Sequence, residues 1–224
     1  TEIYTLSLHD ALPIYLGFFL YISRIKYNLM KFNNRPNIAH KVGDRIVWES
    51  RSVAVNGVVI LYVPGEKVPY VLVSKRGPKS ADYQGYMNLI AGYMDWDESG
   101  PEALYREAWE EVGLDLREFA YPEKDGQDSP FWKDVISNDL EQPWHVKTEP
   151  DENRQNISLR YGLAVRMKAN ILPALSLENN EVEGEVEHAG WLPVNELDHY
   201  QWAFDHDKVI KEYLVRIGDH ICNY

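Results

Sequence analysis

Three carboxylates fall within five residues at Glu107, Glu110 and Glu111, with Arg106 directly before them and Glu98 a short way upstream. On a helix, like charges at i, i+3 and i, i+4 repel by roughly 0.2–0.5 kcal/mol a pair, so this grouping calls for a positive partner. A hard divalent cation meets that need, taking carboxylate oxygens while leaving positions open for substrate phosphates. Arg106 can reach Glu110 one turn on, or fold back over Glu107, and hold a carboxylate in its planar fork. The plainer reading is an acidic, solvated helix face, and charge alone favours it.

The residues around the cluster predict a helix from about Gly100 to Val112. Ser99 suits its N-cap, Pro101 its first turn and Glu102 the positive end of its dipole. Gly113 stands where a left-handed C-cap belongs. Leu104, Ala108 and Val112 recur at helical spacing as a buried stripe, and the three carboxylates share one arc of about 100° beside it. The stretch from Gly92 to Leu114, GYMDWDESGPEALYREAWEEVGL, resembles the Nudix box, G-x5-E-x7-R-E-U-x-E-E-x-G-U, with U a bulky aliphatic residue. Gly92, Glu98, Arg106, Glu107, Glu110, Glu111, Gly113 and Leu114 meet it without gap or shift, and Ala108 is smaller than usual at the first U position. That register outweighs the solvated-face reading.

The resemblance implies an α/β fold, an α/β/α sandwich around a mixed β-sheet. It also implies a loop–helix–loop that binds Mg2+ or Mn2+ and hydrolyses a nucleoside diphosphate linked to another moiety. Glu107, Glu110 and Glu111 are the implied metal ligands, with the Ala91 carbonyl as a backbone ligand. Arg106 would orient Glu107, and Glu98 would steady the loop. Nudix enzymes differ in whether the general base lies in the box or on a later loop. Glu181, Glu183, Glu185 and Glu187 alternate ahead of Trp191, and on a strand all four would share one face. Position favours Glu185 and Glu187, against the plainer reading of a solvated acidic loop.

Outside the box, VLVSKRG (Val71–Gly77) and WLPVNEL (Trp191–Leu197) resemble flanking strands of the family. WAFDHDKVI (Trp202–Ile210) resembles the closing helix of Nudix proteins acting on ADP-ribose and related compounds. The plainer reading of that segment is a core helix, with Phe204 and Ile210 packing and His206 a hydrogen-bonded helix-start residue. An ADP-ribose-like or nucleotide-sugar substrate is favoured, and enzymes of the family on such substrates are often homodimers. One alternative is a non-catalytic Nudix-fold nucleotide sensor, although sensors tend to lose box carboxylates that this chain keeps. Another is an oxidised-nucleoside-triphosphate pyrophosphatase, which would want a more compact domain. Phe119 to Gln155 reads as a long, polar, irregular link that could cover a nucleotide. Within it and beside the box, Trp132, Trp144 and Tyr93 could stack on a base, and Arg154 and Lys147 could meet a distal phosphate. Packing and surface charge are the plainer readings of these five.

A β-branched run predicts a strand at Ser52–Val63, with Val68–Lys75 as its antiparallel partner, alternation predicts another at Asn156–Met167, and Val186–Leu192 reads as a further one. Val209, Ile210, Tyr213, Leu214 and Ile217 predict a helix over Asp205–Ile217. The net charge of −12 over 224 residues argues against a general nucleic-acid or anionic-membrane surface. It leaves phosphate substrates open, because a bound cation inverts the local field. Cys222 is the single cysteine, which excludes an internal disulfide and fits a reducing cytoplasm. Thr1 to Ile14 back-translate to DNA that resembles a sequencing-library adapter, so Thr1–Leu29 is expected to be a non-native extension. Met30 is then the natural start, and Met30–Tyr224 one Nudix hydrolase domain. The apolar run Ala11–Ile22 is too short to span a bilayer and has neither a basic flank nor a small-residue cleavage site.

Overall fold

The computed structural model describes residues 38–49, 53–121, 129–150 and 155–218. The expectations for Thr1–Leu29, Arg154 and Cys222 lie outside those residues. A hairpin of β1 (Ile38–Val42) and β2 (Arg45–Glu49) comes first and forms a sheet of its own. The main sheet is built from β3 (Val53–Tyr62), β4 (Tyr70–Arg76), β5 (Met87–Asn88), β6 (Ile90–Tyr93), β7 (Trp132–Asp139), β8 (His145–Pro150), β9 (Gln155–Met167) and β10 (Val186–Pro193). The central strand is β3. Along one edge it runs parallel to β9 in unbroken register from Val53↔Ile157 to Tyr62↔Arg166. Its other edge is divided, with β6 antiparallel near its start and β4 antiparallel near its end. β10 flanks β4, and one parallel pair among antiparallel ones makes the sheet mixed.

Period-two alternation sorts the side chains of β3 between two layers. Val55, Val59 and Leu61 pack beneath α1 (Gly100–Val112) and α2 (Leu116–Ala120), meeting Leu104, Ala108, Val112 and Leu116. Val58 and Ile60 pack beneath α3 (His206–Arg216), meeting Val209, Ile210, Tyr213 and Leu214. This is the α/β/α sandwich. At β9 the second layer approaches so closely that a Cβ on Gly162 would overlap the Tyr213 ring. Gly162→Ala should therefore lower stability by about 1–3 kcal/mol, as overpacked cores do. Chemical denaturation would register it as a lower midpoint at unchanged slope.

Among the described residues of Phe119–Gln155, the expectation of an irregular link is corrected: β7 and β8 together cover the outer edge of β9, and their polarity is that of edge strands. β7 turns Lys133, Val135 and Asn138 to solvent. Two register shifts, at Trp132/Asp134 and Val135/Ser137, break the simple alternation that would have revealed it. Among the described residues, no helix is long and apolar enough to cross a membrane.

Candidate active site

α1 carries the acidic cluster and spans Gly100–Val112, the bounds its capping residues predict. Ser99 donates to Glu102 Oε2 through both its backbone N–H (2.8 Å) and its hydroxyl (2.6 Å). At the other end Gly113 adopts φ 68°, and its N–H closes onto the Trp109 carbonyl at 3.0 Å. The stripe of Leu104, Ala108 and Val112 is fully buried, which fixes the rotation of the helix and turns its acidic arc toward β6.

Arg106 organises the site. Its Nε–H donates to Glu98 Oε2 at 3.0 Å, and Nη2 donates to Glu98 Oε1 at 2.7 Å and to the Tyr93 carbonyl at 3.0 Å. Nη1 donates to Glu107 Oε1 at 2.7 Å and Glu110 Oε2 at 3.0 Å. All five guanidinium donors are thus engaged, and the side chain is only 7% exposed. Glu98 also accepts the Asp95 backbone N–H at 2.7 Å, so one carboxylate ties the entry loop to the helix. The Glu107 carboxylate lies against Gly92, where a Cβ would overlap it. Glu111 accepts the backbone N–H of Ala91, and the Ser74 hydroxyl stands 3.4 Å from its Oε2.

Three carboxylates around one guanidinium leave negative charge in excess, and Glu111 adds to it. Burial and the neighbouring Glu107 push Glu110 up to about 7. Burial raises Glu107, with Glu98 and Glu185 adding to the shift and Arg106 opposing it. Burial and Glu107 hold Glu111 well above the usual carboxylate range. Burial opposes the charge on Arg106, but Glu107, Glu98 and Glu110 outweigh it and raise its pKa.

These raised carboxyl pKa values fix a sign. Each folded value lies above the unfolded one, so the stabilisation is present at low pH and is lost as pH rises through the folded value. His206 works the other way: buried at the start of α3 and accepting the Leu89 N–H at 3.1 Å, it is pushed down to about 3. Above pH 7 it is largely neutral whether folded or unfolded, and the carboxyls govern. The melting temperature of the metal-free protein should therefore fall from pH 7 to 8.5. Mg2+ or Mn2+ should restore it most at the alkaline end.

The later glutamates separate. Alternation across Glu181–Glu187 does not hold, because β10 begins only at Val186 and its register shifts between Val186 and His188. Glu187 turns to Lys75 Nζ at 3.1 Å. Glu185 keeps one side open to solvent while its charge raises both Glu107 and Glu111. Burial and Glu181 raise Glu185 in turn, and Arg76 opposes them. Ser74 and Arg76, at the end of VLVSKRG, belong to this neighbourhood although the sequence reading did not single them out. Alternation along β4 was the available signal for Ser74, since Leu72 shares its face and packs in the core under α1.

The residues considered for base stacking pack instead. Trp132 donates to the Phe119 carbonyl at 2.8 Å and Trp144 to the Tyr161 carbonyl at 3.1 Å. The Tyr93 hydroxyl donates to Asn156 Oδ1 at 3.2 Å. Lys147 lies on β8, among the charges that act on Asp205 and His206.

Among the described residues, no three His, Cys, Asp or Glu side chains converge as a ready-made metal-ligand group. With Arg106 seated among them, the carboxylates are spread around a guanidinium. Their chemistry still suits a hard divalent cation: oxygen donors in excess of local positive charge, half-buried, beside a glycine that leaves room for them.

A family model of the NUDIX domain matches residues 52–213. No curated protein matches the chain. Among solved structures, the NUDIX domain of Shewanella oneidensis NrtR complexed with ADP ribose is similar at TM-score 0.51 and 16% identity, over 75% of this chain and 90% of that one. A C. elegans Ap4A hydrolase is similar at TM-score 0.50 and 10% identity, over 75% of this chain and 98% of that one. A bifunctional NMN adenylyltransferase/ADP ribose pyrophosphatase from Francisella tularensis reaches TM-score 0.51 and 17% identity, over 89% of this chain and 46% of that one. At such identities the structural likenesses speak for the fold alone. The family match over most of the chain, with Glu98, Glu107, Glu110 and Glu111 set around Arg106 as described, places the protein: it belongs to the NUDIX family.

Proposed function

We propose that this Nudix pyrophosphohydrolase depends on Mg2+ or Mn2+ and cleaves the pyrophosphate bond of a nucleoside diphosphate linked to another moiety. ADP-ribose-like compounds and nucleotide sugars are the favoured substrates. The observation that carries the reading is the excess of carboxylate around Arg106, an arrangement that is unfavourable until a cation joins it. A divalent cation held there would neutralise phosphate charge and make water a better nucleophile near neutral pH. Glu107, Glu110 and Glu111 would hold it, with the Ala91 carbonyl beside them. Arg106, its donors saturated, orients Glu107 and Glu110 rather than touching substrate. Glu98 fixes Arg106 and the loop, and Glu185 is the group to accept the proton of the attacking water, its raised pKa suiting a base. Glu187, engaged by Lys75, takes no part.

The substrate preference rests on the resemblance of WAFDHDKVI to ADP-ribose-type members. It is supported by the shared fold of the NrtR domain complexed with ADP ribose. The test is phosphatase-coupled phosphate release from ADP-ribose, nucleotide sugars, dinucleoside polyphosphates, NADH and oxidised dGTP, each with Mg2+, Mn2+ or EDTA. Cation-dependent cleavage of the first two classes is expected. Cleavage of oxidised dGTP alone would overturn the substrate assignment, and tight binding without any cleavage would make the protein a nucleotide sensor.

A further inference from the structure

Glu185 stands on a turn with no strand partner of its own, because β10 begins one residue later. A carboxylate that must meet the box to within a fraction of an ångström needs its backbone held. The hold comes from the β4–β5 loop, residues 77–86. The Glu185 carbonyl accepts two hydrogen bonds from that loop, from the Gly77 N–H at 2.7 Å and the Ser80 hydroxyl at 2.8 Å. Lys79 N–H donates to the adjoining Gly184 carbonyl at 3.0 Å.

The loop is itself closed tightly. Ser80 is only 2% exposed, its N–H reaches the Gly77 carbonyl at 3.2 Å, and its carbonyl accepts Gln84 Nε2 at 2.9 Å. Arg76, next to Gly77, bonds both the carbonyl and the side chain of Asp82 at 2.9 Å. Gly77 leaves no alternative spacing, since a Cβ there would overlap the Gly184 carbonyl oxygen.

We propose that Ser80 and Gly77 are positioning residues for Glu185, holding the main chain that carries its carboxylate. The proposal rests on the pyrophosphohydrolase reading with Glu185 as its base. Ser80 touches no reacting atom and acts only through Glu185. Its effect therefore belongs in kcat rather than KM, and it vanishes once Glu185 loses its function.

The experiment is a double-mutant cycle of Ser80→Ala and Glu185→Gln in the full chain, with ADP-ribose and Mg2+ as the probe. Ser80→Ala should lower kcat roughly 3- to 10-fold at unchanged KM, the effect of one lost hydrogen bond, and Ser80→Thr should recover it. Glu185→Gln should lower kcat by roughly 10²-fold, and the double variant should be no slower than Glu185→Gln alone. Hydrogen exchange at the Gly77 amide should quicken in Ser80→Ala, which reads the clamp without turnover. Calorimetric titration with Mn2+ alone should show binding close to wild type in Ser80→Ala, since neither Ser80 nor Glu185 is among the groups that would hold the cation. Equal kcat losses from Ser80→Ala with and without Glu185 would overturn the positioning role, as would unchanged kcat despite faster exchange at Gly77. Absence of cleavage by the wild-type protein is a separate result: it removes the pyrophosphohydrolase reading, and exchange at the Gly77 amide in Ser80→Ala then decides the clamp on its own.

Discussion

Glu111→Gln should cut kcat by roughly 10²–10⁴-fold and leave the fold intact. The substitution keeps the shape of the side chain, and an amide oxygen can still accept the Ala91 N–H that the carboxylate accepts now. Only the charge is lost. Because burial and Glu107 already disfavour that charge, its removal should raise the melting temperature of the metal-free protein at pH 8. A variant that is more stable without metal yet nearly inactive with it is the signature of a carboxylate kept for cation binding. Thermal melts and steady-state rates on one preparation check both halves. Unchanged turnover would sink the assignment of Glu111 to the metal.

Arg106→Met should be the most destabilising single change at the site. It strips Glu98, Glu107 and Glu110 of their shared partner and leaves the Tyr93 carbonyl without its donor. Removing one partner of a buried ion pair costs about 3–5 kcal/mol, and here three carboxylates lose theirs at once. Arg106→Lys should recover only part of the loss, since one ammonium cannot reproduce five donors in a planar fork. Denaturation midpoints at pH 8 in EDTA measure the cost, and added Mg2+ should reduce it. A loss below about 1 kcal/mol would place Arg106 among ordinary surface charges.

The site was legible in the sequence to the extent that it is local. Ser99, Pro101, Glu102 and Gly113 fix α1, the aliphatic stripe fixes its rotation, and Arg106 must then lie within reach of Glu107 and Glu110. Contacts that depend on tertiary approach were not legible. The Ala91 N–H bonded to Glu111 and the Ser74 hydroxyl near it come from β6 and β4 passing beneath the helix. Strand alternation could not separate Glu185 from Glu187; in the fold β10 starts at Val186 and shifts register before His188, and Glu187 meets Lys75. β7 and β8 escaped notice because edge strands facing solvent on one side read as polar loops. The central strand β3 announces itself through its β-branched run, and β9 through its alternation.

The most direct measurement is mass spectrometry of the products formed from ADP-ribose and from a nucleotide sugar in isotopically heavy water, with Mg2+ and with EDTA. The proposed function predicts two phosphomonoesters per substrate cleaved, one of them carrying a single heavy oxygen, and only when the cation is present. Cleavage undiminished by EDTA would contradict it, and so would substrates that bind tightly and remain whole.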